Sequence, residues 1–238
     1  MEIFKIEGEP RGLLRNSYSI YKCQFSDFSE EEKEEIREAT KKLVEGCCSN
    51  SANSGEIREE IIKQIDAFTG IIAEVAVKKM FNECYKLSAI RPEFEEAKNQ
   101  IDILLKNGEK EYTVEVRSSM VKNGIGFALL VGKNGIPYFD IIGPYCQSDY
   151  KITFESTKDI YMRVLFDING YKTPEDIYDG IVFNSLKFYI IGGVFGGDIL
   201  KANQKKSMVS SEVANPGIYY YLGIDKILDV SQLKENLK

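Results

Sequence analysis

The chain has 238 residues, of which 43% are apolar and 29% charged, with a net charge of −6 and no histidine. That length and composition suit one large soluble α/β domain, or one domain with a modest appendage. The missing histidine excludes Ser-His-Asp and Cys-His hydrolases as usually built, histidine-ligated zinc enzymes and histidine-based nucleases. The acidic balance requires any nucleic-acid partner to be met by a local basic surface.

Residues 1–28 mix short strand-like pieces with turn residues and carry no clear assignment. Ser29 followed by Glu30-Glu31-Glu32 predicts a helix N-terminus with a capping box, running to about Gly46. Cys47 to Gly55 reads as a loop. A second helical pattern starts near Glu56, with Ile57, Ile61, Ile62 and Ile65 on one stripe. Gly70 interrupts it, and Ile71 to Tyr85 continues it. Pro92 and its charged neighbours form a connector.

Strands are expected at Ile101–Leu105 and Tyr112–Arg117, with Asn107-Gly108 as the tight turn between them. Further strands are expected at Phe127–Val131, Ile160–Phe166, Phe188–Ile191 and Tyr219–Leu222. Asp198–Ala202 reads as a short helix, Asn203–Gly217 as a polar loop, and Ile224–Leu237 as a turn with a terminal helix. Gly192-Gly193 and Gly196-Gly197 fit no phosphate-loop spacing and read as turn or edge positions. Helices followed by a run of strands imply an α/β fold with a mixed central β-sheet flanked by helices. Residues 1–54 read as a helical and irregular N-terminal extension, serving as a homodimer contact or a specificity element, and residues 55–238 as the main α/β domain.

No apolar run approaches the ~20 residues of a membrane-spanning helix, and Met1–Pro10 lacks the apolar core of a secretory signal. The expectation is a cytoplasmic protein without a membrane partner. The five cysteines match no zinc spacing and read as reduced fillers.

Three acids sit where acids are not expected. Glu74 lies in the apolar helical run Ile71–Val77, Asp102 in an apolar strand, and Glu115 between Val114 and Val116. Burying an unpaired carboxylate is costly. A shared divalent cation explains all three at once, and an all-carboxylate site favours Mg²⁺, with Mn²⁺ as a substitute. Counting from the turn brings Asp102 and Glu115 to the same end of the hairpin. Glu115 and Arg117 share a strand face, so one can hold metal while the other meets phosphate.

An acid on a helix, an Asp on a strand and Glu115-Val116-Arg117 on the next strand resemble the PD-(D/E)XK, or restriction-endonuclease-like, nuclease superfamily. Asp159–Val164 and Phe188–Gly193 look like its later segments, so the resemblance covers roughly residues 55–235. It implies a restriction-endonuclease-like core and a Mg²⁺-dependent nuclease acting on DNA. The metal ligands would be Glu74, Asp102 and Glu115, with a restriction or defence setting by analogy. The family usually has Lys where this chain has Arg117. Arg stabilises phosphate charge but stays protonated, so a lysine from elsewhere is sought. Lys78, one turn after Glu74, is the first choice, and Lys79 and Lys122 follow. Lys122, Lys205 and Lys206 are expected to contact nucleic-acid phosphates.

The bland alternatives are a solvated helix face for Glu74 with Lys78, an exposed strand for Asp102, an ordinary polar strand face for Glu115 and Arg117, and a solvated lysine loop. Two rival functions follow. One is a catalytically inactive nuclease-like module that binds nucleic acid or a protein. The other is a small-molecule or signalling interaction domain.

Overall fold

The computed structural model describes the chain except residues 9–15, 47–59, 93–100, 131, 134–135, 138–139, 149–155, 209–216 and 238. The expected loop at Cys47–Gly55, the start of the second helix and most of the charged connector after Pro92 lie outside the described residues. In chain order the structure begins with β1 (Glu2–Ile6) and β2 (Tyr18–Cys23), a short 3₁₀ turn (Phe25–Asp27), and helices α1 (Glu30–Gly46) and α2 (Glu60–Lys79). A π-helical turn (Met80–Cys84) leads into β3 (Ser88–Ile90), β4 (Ile103–Asn107), β5 (Lys110–Val121) and α3 (Ile125–Leu130). Then come β6 (Gly132–Lys133), β7 (Ile136–Pro137), β8 (Asp140–Ser148), β9 (Ile160–Asp167), α4 (Pro174–Val182), β10 (Lys187–Phe195) and α5 (Gly196–Ala202). The chain ends with β11 (Lys205–Met208), β12 (Gly217–Gly223), β13 (Leu228–Asp229) and α6 (Val230–Asn236).

The architecture is mixed α/β. Among the described residues the central sheet has eight strands in the order β1-β2-β10-β9-β5-β4-β3, with β13 added against β10. Strands β5 and β9 run parallel, and the other neighbours are antiparallel, so the sheet is mixed. The segment 1–54, expected as an extension, supplies β1 and β2 to this sheet.

Alternation along β5 and β9 sorts side chains onto two faces. Val114, Ile160, Met162, Val164 and Phe166 pack with Ile72, Val75 and Ala76 of α2. Tyr161, Leu165 and Val121 pack on the other face with Leu129 of α3, Ile141 of β8 and Ile199 of α5. Helix α1 lies on α2.

The capping box at Ser29 is present: Glu32 N–H donates to Ser29 Oγ, and Ser29 N–H donates to Glu32 Oε2. Gly70 does not interrupt α2. Its roughly 1 kcal/mol cost in a helix interior is outweighed by burial of Ile65, Phe68, Ile71 and Ile72 around it.

Three sequence expectations need correction. Phe127–Leu130 is helical, part of α3, and Val131 lies outside the described residues. The tight turn sits at Gly108-Glu109, one residue later than expected, with Gly108 at φ +61° and Asn107 paired to Lys110. The Asn203–Gly217 region contains β11, which pairs with β12.

Gly192 also departs from the expected turn or edge role. It lies at a register shift in the interior strand β10 at φ +140°, where a Cβ would meet the Leu228 carbonyl. Helix α4 carries a full capping box between Thr173 and Asp176. Thr173→Ala should cost about 1 kcal/mol, lowering the Tm by roughly 2–4 °C in thermal denaturation.

Candidate active site

Strand pairing between β4 and β5 ends at Ile103 opposite Val114. Asp102, one step further, faces the Glu115 position. Its Oδ2 accepts the Val116 N–H at 2.8 Å, taking the place of a ladder carbonyl. This contact, not strand membership, holds the Asp102 carboxyl at the strand entrance. Glu115 follows Val114 on the face opposite α2, and Arg117 two residues on reaches it at 3.2 Å. Glu74 comes from α2, the helix laid against β5.

Asp102 and Glu74 both feel neighbouring acids. Burial pushes Asp102 well above the usual carboxylate range, and the charges of Glu115 and Glu74 push it further. Burial also raises Glu74, and Glu115 and Glu35 add to this against the lowering effect of Arg91. Glu115 and Glu74 thus each disfavour ionisation of Asp102, and Glu115 disfavours that of Glu74. A hard divalent cation accepting carboxylate oxygens suits such a donor set. The cluster is not open as it stands, however. Among the described residues no group of three or more His, Cys, Asp or Glu is arranged to hold a metal ion.

Two guanidinium groups engage these acids. Arg91 Nε and Nη2 both reach Glu74 Oε2, each at 2.8 Å, and Arg91 Nη1 reaches Glu35 Oε1 at 3.1 Å. Arg117 engages Glu115. The Lys78 expectation fails here: its Nζ lies 2.6 Å from Glu35 on α1, so it points to the helix pair and not to Glu74. Lys79 is likewise held by Glu32 and Glu83.

Lys122 is exposed just past the end of β5, about 23 Å along an extended strand from Glu115, so it does not join the acids. Lys206 pairs with Asp140 at 3.3 Å, and Lys205 lies over the Tyr220 ring. Both sit on β11, an edge strand of the three-stranded sheet β11-β12-β8.

Arg163 was missed as a site residue. It stands on β9 directly beside Arg117 in the parallel register, and it is buried. Its Nη2 donates to Ser119 Oγ at 2.9 Å. Burial pulls its pKa down to about 10, with Asp140 opposing the shift and Arg117 adding to it. A charged residue inside the apolar run Ile160–Phe166 was the available signal. Arg91 gave none, because it lies in a connector.

The raised carboxyls make a pH prediction. Asp102 and Glu74 bind protons more tightly folded than unfolded. Their contribution to stability is full below the ordinary carboxylate value near ~4 and is lost as pH rises through the elevated range. The chain has no histidine to titrate near neutral pH. Metal-free protein in EDTA should therefore show a Tm that falls as pH rises above the ordinary carboxylate range, and Asp102→Asn should flatten the fall.

A relative in Methanocaldococcus jannaschii, the uncharacterized protein MJECS01, is 33% identical over 169 residues, covering 66% of this chain and 56% of that protein. The match thus spans little more than half of the relative's length. No family model and no solved structure matches the chain. Among the described residues no helix is long and apolar enough to cross a membrane.

Proposed function

We propose that this chain is a Mg²⁺-dependent nuclease with a restriction-endonuclease-like core, cleaving phosphodiester bonds of DNA in a restriction or defence setting, with Mn²⁺ as a substitute ion. One observation carries the reading. Asp102 at a strand entrance and Glu74 on a helix are both held from ionising by burial and by the charge of Glu115, which heads a Glu-x-Arg pair. A divalent cation relieves that opposition, and oxygen donors suit Mg²⁺.

Glu74, Asp102 and Glu115 are the residues that would hold the ion. Bound there, it supplies Lewis-acid activation of the phosphodiester and of the attacking water. Val116 N–H orients Asp102 through Oδ2. Arg117, steadied by Glu115, stabilises charge that develops on the phosphoryl oxygens. Both Arg91 contacts fall on Glu74 Oε2, which leaves Oε1 for coordination. With Lys78 committed to Glu35, Arg117 is the cation nearest the acids on the strand face, and it serves as a charge stabiliser and not as a base.

A second reading is an inactive nuclease-like module that binds nucleic acid or a protein. Arg91 favours it, because its guanidinium already neutralises one of the acids. Plasmid nicking in Mg²⁺ or Mn²⁺, with Glu115→Ala and Asp102→Ala as controls, separates the two. Cleavage lost in both variants supports the nuclease, and cleavage retained in both marks a contaminant. DNA binding without cleavage in any divalent metal selects the inactive module. Absence of DNA binding at low salt rejects the nuclease and a nucleic-acid-binding module, and leaves a protein-binding one.

A further inference from the structure

We propose that Arg163, side by side with Arg117, forms the inner wall of an anion subsite that takes a backbone phosphate of the substrate; this role rests on the nuclease reading. Arg163 is only 5% exposed. Among the described residues it has a single hydrogen bond, to Ser119 Oγ, and no carboxylate within ion-pair distance. Its Nε has no partner. The carboxylate that most influences it, Asp140, is bonded to Lys206.

The parallel register sets Arg117 directly across from it, so two guanidiniums stand on one face of the sheet. A buried charge is normally paired, because desolvation and like-charge repulsion are otherwise uncompensated. An apolar side chain would fill the same volume between the sheets without that cost. A tetrahedral anion resolves the conflict. Its oxygens can take the vacant Nε–H of Arg163 and also serve Arg117, and guanidinium donors suit phosphate. Arg117 is partly exposed, with 30% of its side chain accessible, so the subsite opens on its side. Arg117 also touches Glu115, which sets the phosphate next to the acids.

The test uses the full chain in EDTA at constant ionic strength, in chloride buffer with and without inorganic phosphate. Phosphate at about 100 times its Kd should raise the Tm by roughly 5 °C or more. Arg163→Met should fold with an equal or higher Tm in chloride and lose the phosphate increment. Arg163→Lys should keep a reduced increment.

Binding of a short duplex oligonucleotide should fall about tenfold or more in Arg163→Met. Several results would overturn the proposal: a wild-type Tm insensitive to phosphate, an Arg163→Met protein that is destabilised or unfolded in chloride, or an increment unchanged in either variant. Loss of the phosphate increment with unchanged oligonucleotide binding would mean a site for free phosphate, against a backbone contact.

None of these readouts requires cleavage. Phosphate binding through Arg163 without nicking in any metal overturns the nuclease reading alone. Nicking with no phosphate effect overturns the subsite alone.

Discussion

On the proposed nuclease reading, Glu115→Gln and Asp102→Asn should each reduce Mg²⁺-dependent plasmid nicking by about 10³-fold or more, with the protein still folded. A bound cation stabilises transition-state charge by several kcal/mol, and each ~1.4 kcal/mol is tenfold in rate. Both replacements preserve the local hydrogen bonding. An Asn carbonyl at 102 can still accept the Val116 N–H that Asp102 takes at 2.8 Å, and a Gln at 115 can still accept from Arg117. What each removes is a negative charge and an anionic ligand. Kinetics should show the loss in kcat, with DNA affinity in EDTA unchanged or improved, because one repulsive charge has gone. Variants that nick at the wild-type rate would remove the acids from the chemistry.

Arg91→Met should have the second largest effect, on stability. Arg91 joins α2 to α1 through Glu74 and Glu35, and it is largely buried. Removing one partner of a buried ion pair costs about 3–5 kcal/mol, because the remaining charge is left without compensation. Here Glu74 would be left beside Glu115 and Asp102. In EDTA the Tm should fall by roughly 6 °C or more. Adding Mg²⁺ should recover more of that loss than it adds to the wild type, because the ion then takes over the neutralising role of the guanidinium. Thermal denaturation with and without Mg²⁺ measures both. A Mg²⁺ increment no larger than in wild type would mean that Arg91 and the ion do not share Glu74.

The acids were legible because each broke an apolar pattern. A carboxylate between Val114 and Val116, or inside Ile71–Val77, needs a partner whatever the fold. Turn counting brought Asp102 and Glu115 towards the same end of the hairpin; from Asn107-Gly108 it would set Asp102 against Thr113, and the turn at Gly108-Glu109, one residue later, sets it against Glu115.

Lys78 was misplaced for a definable reason. An i,i+4 spacing puts Glu74 and Lys78 on one helix face, but it does not say which neighbour that face meets. The α1 residue Glu35 won both Lys78 and part of Arg91. The Phe127–Leu130 stretch could not be read from its apolar character, since a short buried run fits a helix as well as a strand. Strand β11 hid in a lysine-rich stretch because an edge strand of a small sheet can be polar on its outer face. Helix α4 had a readable start in Thr173-Pro174-Glu175-Asp176, a capping box with proline in the first turn, which a closer reading of cap signals would have found.

The parallel pairing of β5 with β9 spans everything from residue 122 to 159, and β2 must wait for β10, which follows it by most of the chain. Such distant partners raise contact order, so closing them demands a large entropic search before any reward arrives. The β4–β5 hairpin, by contrast, needs only its own two-residue turn. Asp102 and Glu115 should therefore become neighbours early on the folding route, before the sheet that surrounds them is complete.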